Sequence, residues 1–196
     1  MSAQLGDLVQ LARDNPVVAL ILASEAGFWV LLGLGLATRY LLRLRALSTL
    51  LLAGIPLVDV VLVVAVALDL LHGAEPRPVH GLAGVYLGFS VAFGPSIVRW
   101  ADVRFAHRFA GGPPPVKPAK GTPERIAHLW REWGRVVTAA TITTVVLGGL
   151  VLFVASPEQA DELWWWIGRV WVVAGIWLLA GPLWESGEAR VTAGRR

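Results

Sequence analysis

The chain has 196 residues, of which 56% are hydrophobic and only 16% charged, and its mean hydropathy is +0.62. Soluble domains carry about 25% charged residues, so this composition excludes an ordinary soluble domain, and the absence of cysteine excludes disulfides, thiolate metal sites and cysteine nucleophiles. The net charge is +3, but the basic residues flank apolar stretches instead of forming one groove-sized patch, which argues against nucleic acid and fits an anionic membrane leaflet.

Residues 1–15 lack a basic n-region and carry Asp7 and Asp14, so no cleaved signal peptide is expected. Leu5, Leu8, Val9 and Ala12 fall at helical spacing and predict a short surface helix over 3–14. Asn15-Pro16 reads as a helix start, a capping side chain followed by proline at the first helical position. The first span, 16–38, rises about 33 Å, enough for a hydrocarbon core of about 30 Å. Arg39, Arg43 and Arg45 follow it.

The second span is read over 47–71, and the segment HGAEPRP after it is a turn. The third span is read over 79–98 and runs directly into a stretch of alternating arginines and aromatics. Residues 111–121, GGPPPVKPAKG, are too rich in Pro and Gly for regular structure and read as a linker within a single membrane domain, 1–196. Thr122-Pro123-Glu124 opens an amphipathic lead-in with Ile126, Leu129, Trp130 and Trp133 on one face, expected at the interface. The fourth span is read over 136–155, an acidic turn over 156–162 and the fifth span over 163–184. A tail with Arg190, Arg195 and Arg196 closes the chain. The expected fold is therefore all-α: a transmembrane helical bundle of about five spans with interfacial amphipathic helices.

Basic residues set the expected orientation. The first connection holds three, the third connection eight and the tail three, against Arg13 and Arg77 alone on the other side. By the positive-inside rule the N-terminus lies outside a bacterial cell membrane and the C-terminus in the cytoplasm. Trp164, Trp165 and Trp166 then form an outer aromatic belt and Trp184 an inner one.

The stretches HGLAGVYLGFSVAFG at 80–94 and RWADVRFAHRFAGGPPP at 99–115 resemble a group of uncharacterised small multi-pass integral membrane proteins of Gram-positive bacteria. The resemblance extends to EAGFW at 25–29 and PLVDVVL at 56–62, hence over most of the first 115 residues. It implies an architecture and carries no activity and no catalytic residue with it.

Polar residues inside apolar spans are expensive and normally face the bundle interior with partners. Glu25 and Asp59 both fall near mid-depth, and Arg169 is the basic candidate inside a span. With Tyr86 and Ser90 they form a candidate intramembrane network. The plain reading is a structural ion pair with one protonated acid. The functional reading is a proton or cation site. Asp69, His72 and His80, with Glu75 nearby, cluster at the far ends of spans two and three as a weak candidate for a divalent metal, although their spacing matches no known ligand pattern.

Gly84, Gly88, Ala92 and Ser96 place small residues at every fourth position, which suits close helix packing, within the bundle or between two copies. Ala140, Thr144 and Gly148 repeat the pattern more weakly. Asp102 follows Arg99 by three and can pair with it. Arg99, Arg104 and Arg108 are candidate contacts for anionic inner-leaflet lipid. No phosphate loop, HExxH, GxSxG or paired-carboxylate pattern is present, so an enzyme has little support and no cofactor is expected. The reading that results is an accessory or structural component of a membrane assembly, with the lipid bilayer, other membrane subunits and a second copy as partner classes. A small transporter or proton-coupled channel using Glu25 and Asp59 is the alternative, and a metal-dependent membrane enzyme the third.

Overall fold

Four of the five long helices begin on a proline: α1 (Pro16–Tyr40), α3 (Pro78–Phe109), α4 (Pro123–Phe153) and α5 (Pro157–Gly187). Proline suits that position because the first amides of a helix have no intrahelical acceptor to lose. Thr122 caps α4, its hydroxyl accepting the Arg125 amide. Ser156 caps α5 in a reciprocal capping box with Gln159. The remaining helix, α2 (Arg45–Leu71), follows a tight turn in which Arg43 takes a left-handed φ of 58°.

The structure, a computed structural model, describes residues 16–109, 111–116 and 118–187, without the side chains of residues 16–18, 21, 22 and 25. The expected surface helix over 3–14 and the tail arginines 190, 195 and 196 lie outside the described residues. Within them the fold is all-helical and lacks strands. Four helices, α2, α3, α4 and α5 through Gly187, are long and apolar enough to cross a membrane, and α1, with 25 residues, packs along α2.

Helix boundaries differ from expectation in one systematic way: regular structure runs past the apolar segments. The third span and the arginine/aromatic stretch form a single helix of 32 residues. The amphipathic lead-in and the fourth span form a single helix of 31. The expected acidic turn over 156–162 is the cap and first turns of α5. Helices of this length rise about 46–48 Å and outrun a hydrocarbon core of about 30 Å. Near its end α5 passes through a π-helical turn, Leu179–Leu183, around Pro182, where the wider turn accommodates a proline that cannot donate a backbone hydrogen bond.

Packing is off-centre. The buried apolar cluster joins Leu62, Val66 and Leu70 of α2, Ala83 of α3, Leu147 and Leu150 of α4, and Leu163 and Ile167 of α5. All of these lie toward the end of the bundle that carries the α2–α3 and α4–α5 turns, here the turn end. The opposite end carries the arginines.

The small-residue face of α3 is consumed inside the molecule. A Cβ on Gly84 would come within 2.7 Å of the Leu147 side chain, and one on Gly88 within 2.5 Å of the Ala139 carbonyl oxygen and the Thr143 hydroxyl. Thr143 donates to the Gly84 carbonyl at 3.1 Å across that contact. Gly81 faces the Trp166 indole so closely that a Cβ would fall 1.9 Å from it. Trp166 therefore packs inward, while Trp164 and Trp165 stay on the surface, 53% and 64% exposed.

Candidate functional site

At mid-depth the structure brings together two of the five residues of the expected polar network. Asp59 is buried on α2, and the Ser90 hydroxyl of α3 donates to its Oδ2. Ser90 also donates to the Leu87 carbonyl at 3.3 Å. Tyr86 is 50% exposed and takes no part in the contact. The Glu25 side chain lies outside the described residues. Arg169 stands on the exposed face of α5, its guanidinium 5.0 Å from the rings of both Trp165 and Trp166. Among the described residues no carboxylate pairs with it, although Asp161 borders the same open hollow beside Trp164 and Trp165. No ion pair joins Arg169 to Asp59 among the described residues: the acid is buried between α2 and α3, while the base faces outward.

The turn end is closed by a second network. His80 is 1% exposed, and its Nδ1 accepts the Arg77 amide at 3.2 Å while its Nε2 lies 3.0 Å from Asp69 Oδ2. An imidazole that accepts at one nitrogen carries its proton on the other, so Nε2–H donates to the carboxylate. His72 instead turns its Nδ1 to the Leu68 carbonyl of its own helix at 2.6 Å. Both ring nitrogens of His80 are committed, and no group of three metal-ligating side chains forms among the described residues. Of the three residues of the metal candidate, His80 and Asp69 form a hydrogen-bonded strut between α2 and α3, and His72 turns to its own helix.

Gln159 completes this end and was missed in the sequence. Its Nε2 donates to the Leu70 and Ala74 carbonyls at 3.2 and 2.7 Å, while its Oε1 accepts the Ser156 amide at 2.8 Å. The signal was available, since Ser156 with Gln159 three residues on is a capping-box pattern.

At the arginine-rich end, Asp102 does not take Arg99. It accepts a two-pronged bond from Arg39 of α1, Nε to Oδ1 at 2.6 Å and Nη2 to Oδ2 at 2.7 Å. The Tyr40 hydroxyl donates to the same carboxylate. Tyr40 lies beyond the apolar span, and burial, reinforced by Asp102, pushes its hydroxyl pKa up to about 12. It therefore remains a donor at physiological pH. Its ring stacks on Phe105 at 3.7 Å between centroids. Arg104 lies over the face of Trp100 at 3.8 Å.

Three further contacts organise this end. The Gly121 amide donates to Glu185 Oε1 at 2.8 Å, and Arg125 stands 3.9 Å from Glu185 Oε2. Trp133 of α4 donates to the Ala174 carbonyl at 3.1 Å. These fasten the close of the linker and the lead-in of α4 against α5.

Three of the shallow hollows on the surface lie near these residues. The first surrounds Trp164, Trp165 and Arg169 and measures about 900 Å³. The second lies between α1 and α3 at the arginine-rich end and measures about 410 Å³. The third, about 450 Å³, runs between α3 and α5 over α4 and is lined by Phe89, Phe93, Thr143 and Trp177 among others. Asp59 lines none of them.

The chain is similar to the uncharacterised membrane protein YmcC of Bacillus subtilis (strain 168), with 33% identity over 150 residues that cover 76% of this chain and 80% of the relative. No protein-family model and no solved structure matches the chain.

Proposed function

The chain belongs to the same family of membrane proteins as YmcC, and from that premise we propose that it is an accessory subunit that docks laterally onto another membrane protein through α5. Arg169 carries this reading. It sits in the apolar helix, exposed, with two indole faces beside it and no carboxylate paired with it among the described residues, Asp161 lining the same hollow without bonding it. An unpaired cation in a span is costly unless it finds a partner or reaches the interface. A transmembrane helix presenting a carboxylate would supply the missing charge, with Trp164, Trp165 and Val172 as the apolar surround.

The buried acid supports this reading over transport. Asp59 is engaged by Ser90 and lines none of the three hollows described above.

Mild-detergent extraction from native membranes, followed by pull-down and mass spectrometry, tests the proposal. A membrane subunit co-purifies with the wild-type chain and is lost with Arg169→Leu while the variant stays folded. A wild-type chain that purifies alone overturns the reading.

The orientation belongs to the same proposal. The excess of Lys and Arg on one side supports an external N-terminus and a cytoplasmic C-terminus in a bacterial cell membrane, with α1 as a fifth span. The chain has no cysteine, so single introduced thiols report cleanly. Glu75→Cys reacts with an impermeant maleimide on intact cells, and Pro115→Cys reacts only after permeabilisation. The reverse pattern would invert the topology.

A further inference from the structure

The geometry points to a binding site for one anionic glycerophospholipid in the groove between α1 and α3, with its phosphate held by Arg104 and Arg108. The inference is independent of Arg169 and of any protein partner. It starts from charge. Asp102 is the one carboxylate between residues 78 and 121, and Arg39 reaches across from α1 to engage both of its oxygens. The acid that would otherwise neutralise the arginine stripe is thereby removed from it. Arg108 has no ion-pair or hydrogen-bond partner among the described residues, and Arg104 has only the Trp100 face. A guanidinium stacked on an aromatic ring keeps its in-plane N–H donors free, and their fork matches two phosphate oxygens.

Depth agrees with charge. Side chains on a helix lean toward its N-terminus, and Arg104 leans back over Trp100 by one turn. Trp100 stands about 33 Å along α3 from Pro78 at 1.5 Å per residue. The hydrocarbon core is about 30 Å thick and its headgroup layers extend the bilayer to about 40–45 Å. With Pro78 at one edge of that core, the guanidinium falls in the opposite headgroup layer, where a lipid phosphate sits.

Shape supplies the third element. Arg104 and Arg108 line the same groove as Leu36, Tyr40 and Leu41, which is almost wholly apolar apart from the two cations. A headgroup on the arginines places its acyl chains along α1. A soluble anion would use the two charges and leave the apolar wall uncovered, so the site commits to a lipid.

Native mass spectrometry of the full-length chain in detergent, titrated with phosphatidylglycerol or phosphatidylcholine, provides the test. One phosphatidylglycerol is retained with a preference of roughly tenfold over phosphatidylcholine, as expected for charge-assisted bonds present with one headgroup and not compensated in the other. Arg104→Gln combined with Arg108→Gln abolishes that preference, and Arg131→Gln, on an exposed position of α4 outside the groove, keeps it. Equal retention of the two lipids by the wild-type chain overturns the inference, as does unchanged preference in a folded double variant. If the double variant does not fold, the wild-type headgroup comparison decides alone. Displacement of the lipid by inorganic phosphate at equal concentration assigns the site to a soluble anion and also overturns it.

Discussion

Arg39 and Asp102 lie 63 residues apart in the chain and meet in a two-pronged ion pair, with Nε–Oδ1 at 2.6 Å and Nη2–Oδ2 at 2.7 Å. α1 packs along α2, and this pair, with the Tyr40–Phe105 stack, ties its end to α3. The two side chains are 24% and 27% exposed, so water screens the pair only in part. Asp102→Ala is expected to cost about 2–3 kcal/mol, since bonds to charged groups contribute about 1.5–3 kcal/mol. Arg39→Lys recovers little, because an ammonium cannot present the fork. Thermal unfolding in detergent checks both, and an Arg39→Lys variant as stable as wild type would show that charge alone matters.

Gly88 is required by close approach and not by backbone conformation. Gly88→Ala drives a methyl to within 2.5 Å of the Ala139 carbonyl oxygen, a backbone atom that cannot swing aside. Overpacking of this kind costs about 1–3 kcal/mol. Gly94→Ala, with open space around it, is expected to leave the melting temperature unchanged or higher, since alanine is the better helix former. Comparison of the two variants separates packing from propensity.

The Asp69–His80 strut predicts a structural phenotype without metal dependence. Asp69→Ala strips the buried Nε2–H of His80 of its acceptor, which costs about 1–3 kcal/mol. Chelators leave the wild-type melting temperature unchanged because both ring nitrogens are already engaged. A melting temperature that falls on chelation and recovers with zinc would restore the metal reading.

Asp59 and Ser90 predict a modest effect of the same kind. Ser90→Ala removes the donor to Asp59, at about 1 kcal/mol for an interhelical bond in a membrane. Asp59→Asn keeps the hydroxyl contact and stays near wild-type stability. In reconstituted vesicles Asp59→Asn leaves proton flux at the wild-type level, and a flux that Asp59→Asn abolishes would return the protein to the transporters.

Much of this architecture is legible in one dimension. Four helix starts carry proline at the first position, Ser156 and Thr122 are recognisable caps, and the apolar runs are too long for anything but membrane or deep core. Such features act within a few residues, so sequence alone reveals them. The continuity of α3 and α4 beyond their apolar segments was harder to see, because a switch from lipid-facing to polar residues looks like a boundary although the hydrogen-bonded helix runs on. Gln159 belonged to a readable capping box, yet its second role, holding the Leu70 and Ala74 carbonyls, depends on where the α2–α3 turn lands.

By itself the sequence determined that this is an all-helical membrane protein, which segments are apolar, and which side of the bundle carries the arginines. Tertiary structure alone decided the partners. Asp102 took Arg39 over its neighbour Arg99, Asp59 took Ser90 while Arg169 was left facing outward, and His80 joined Asp69 across the α2–α3 turn. The physical reason is common to all three. Spacing along a helix establishes only which neighbours are within reach, and a buried charge or polar group settles on the partner that packing brings within hydrogen-bonding distance, wherever that partner lies in the chain.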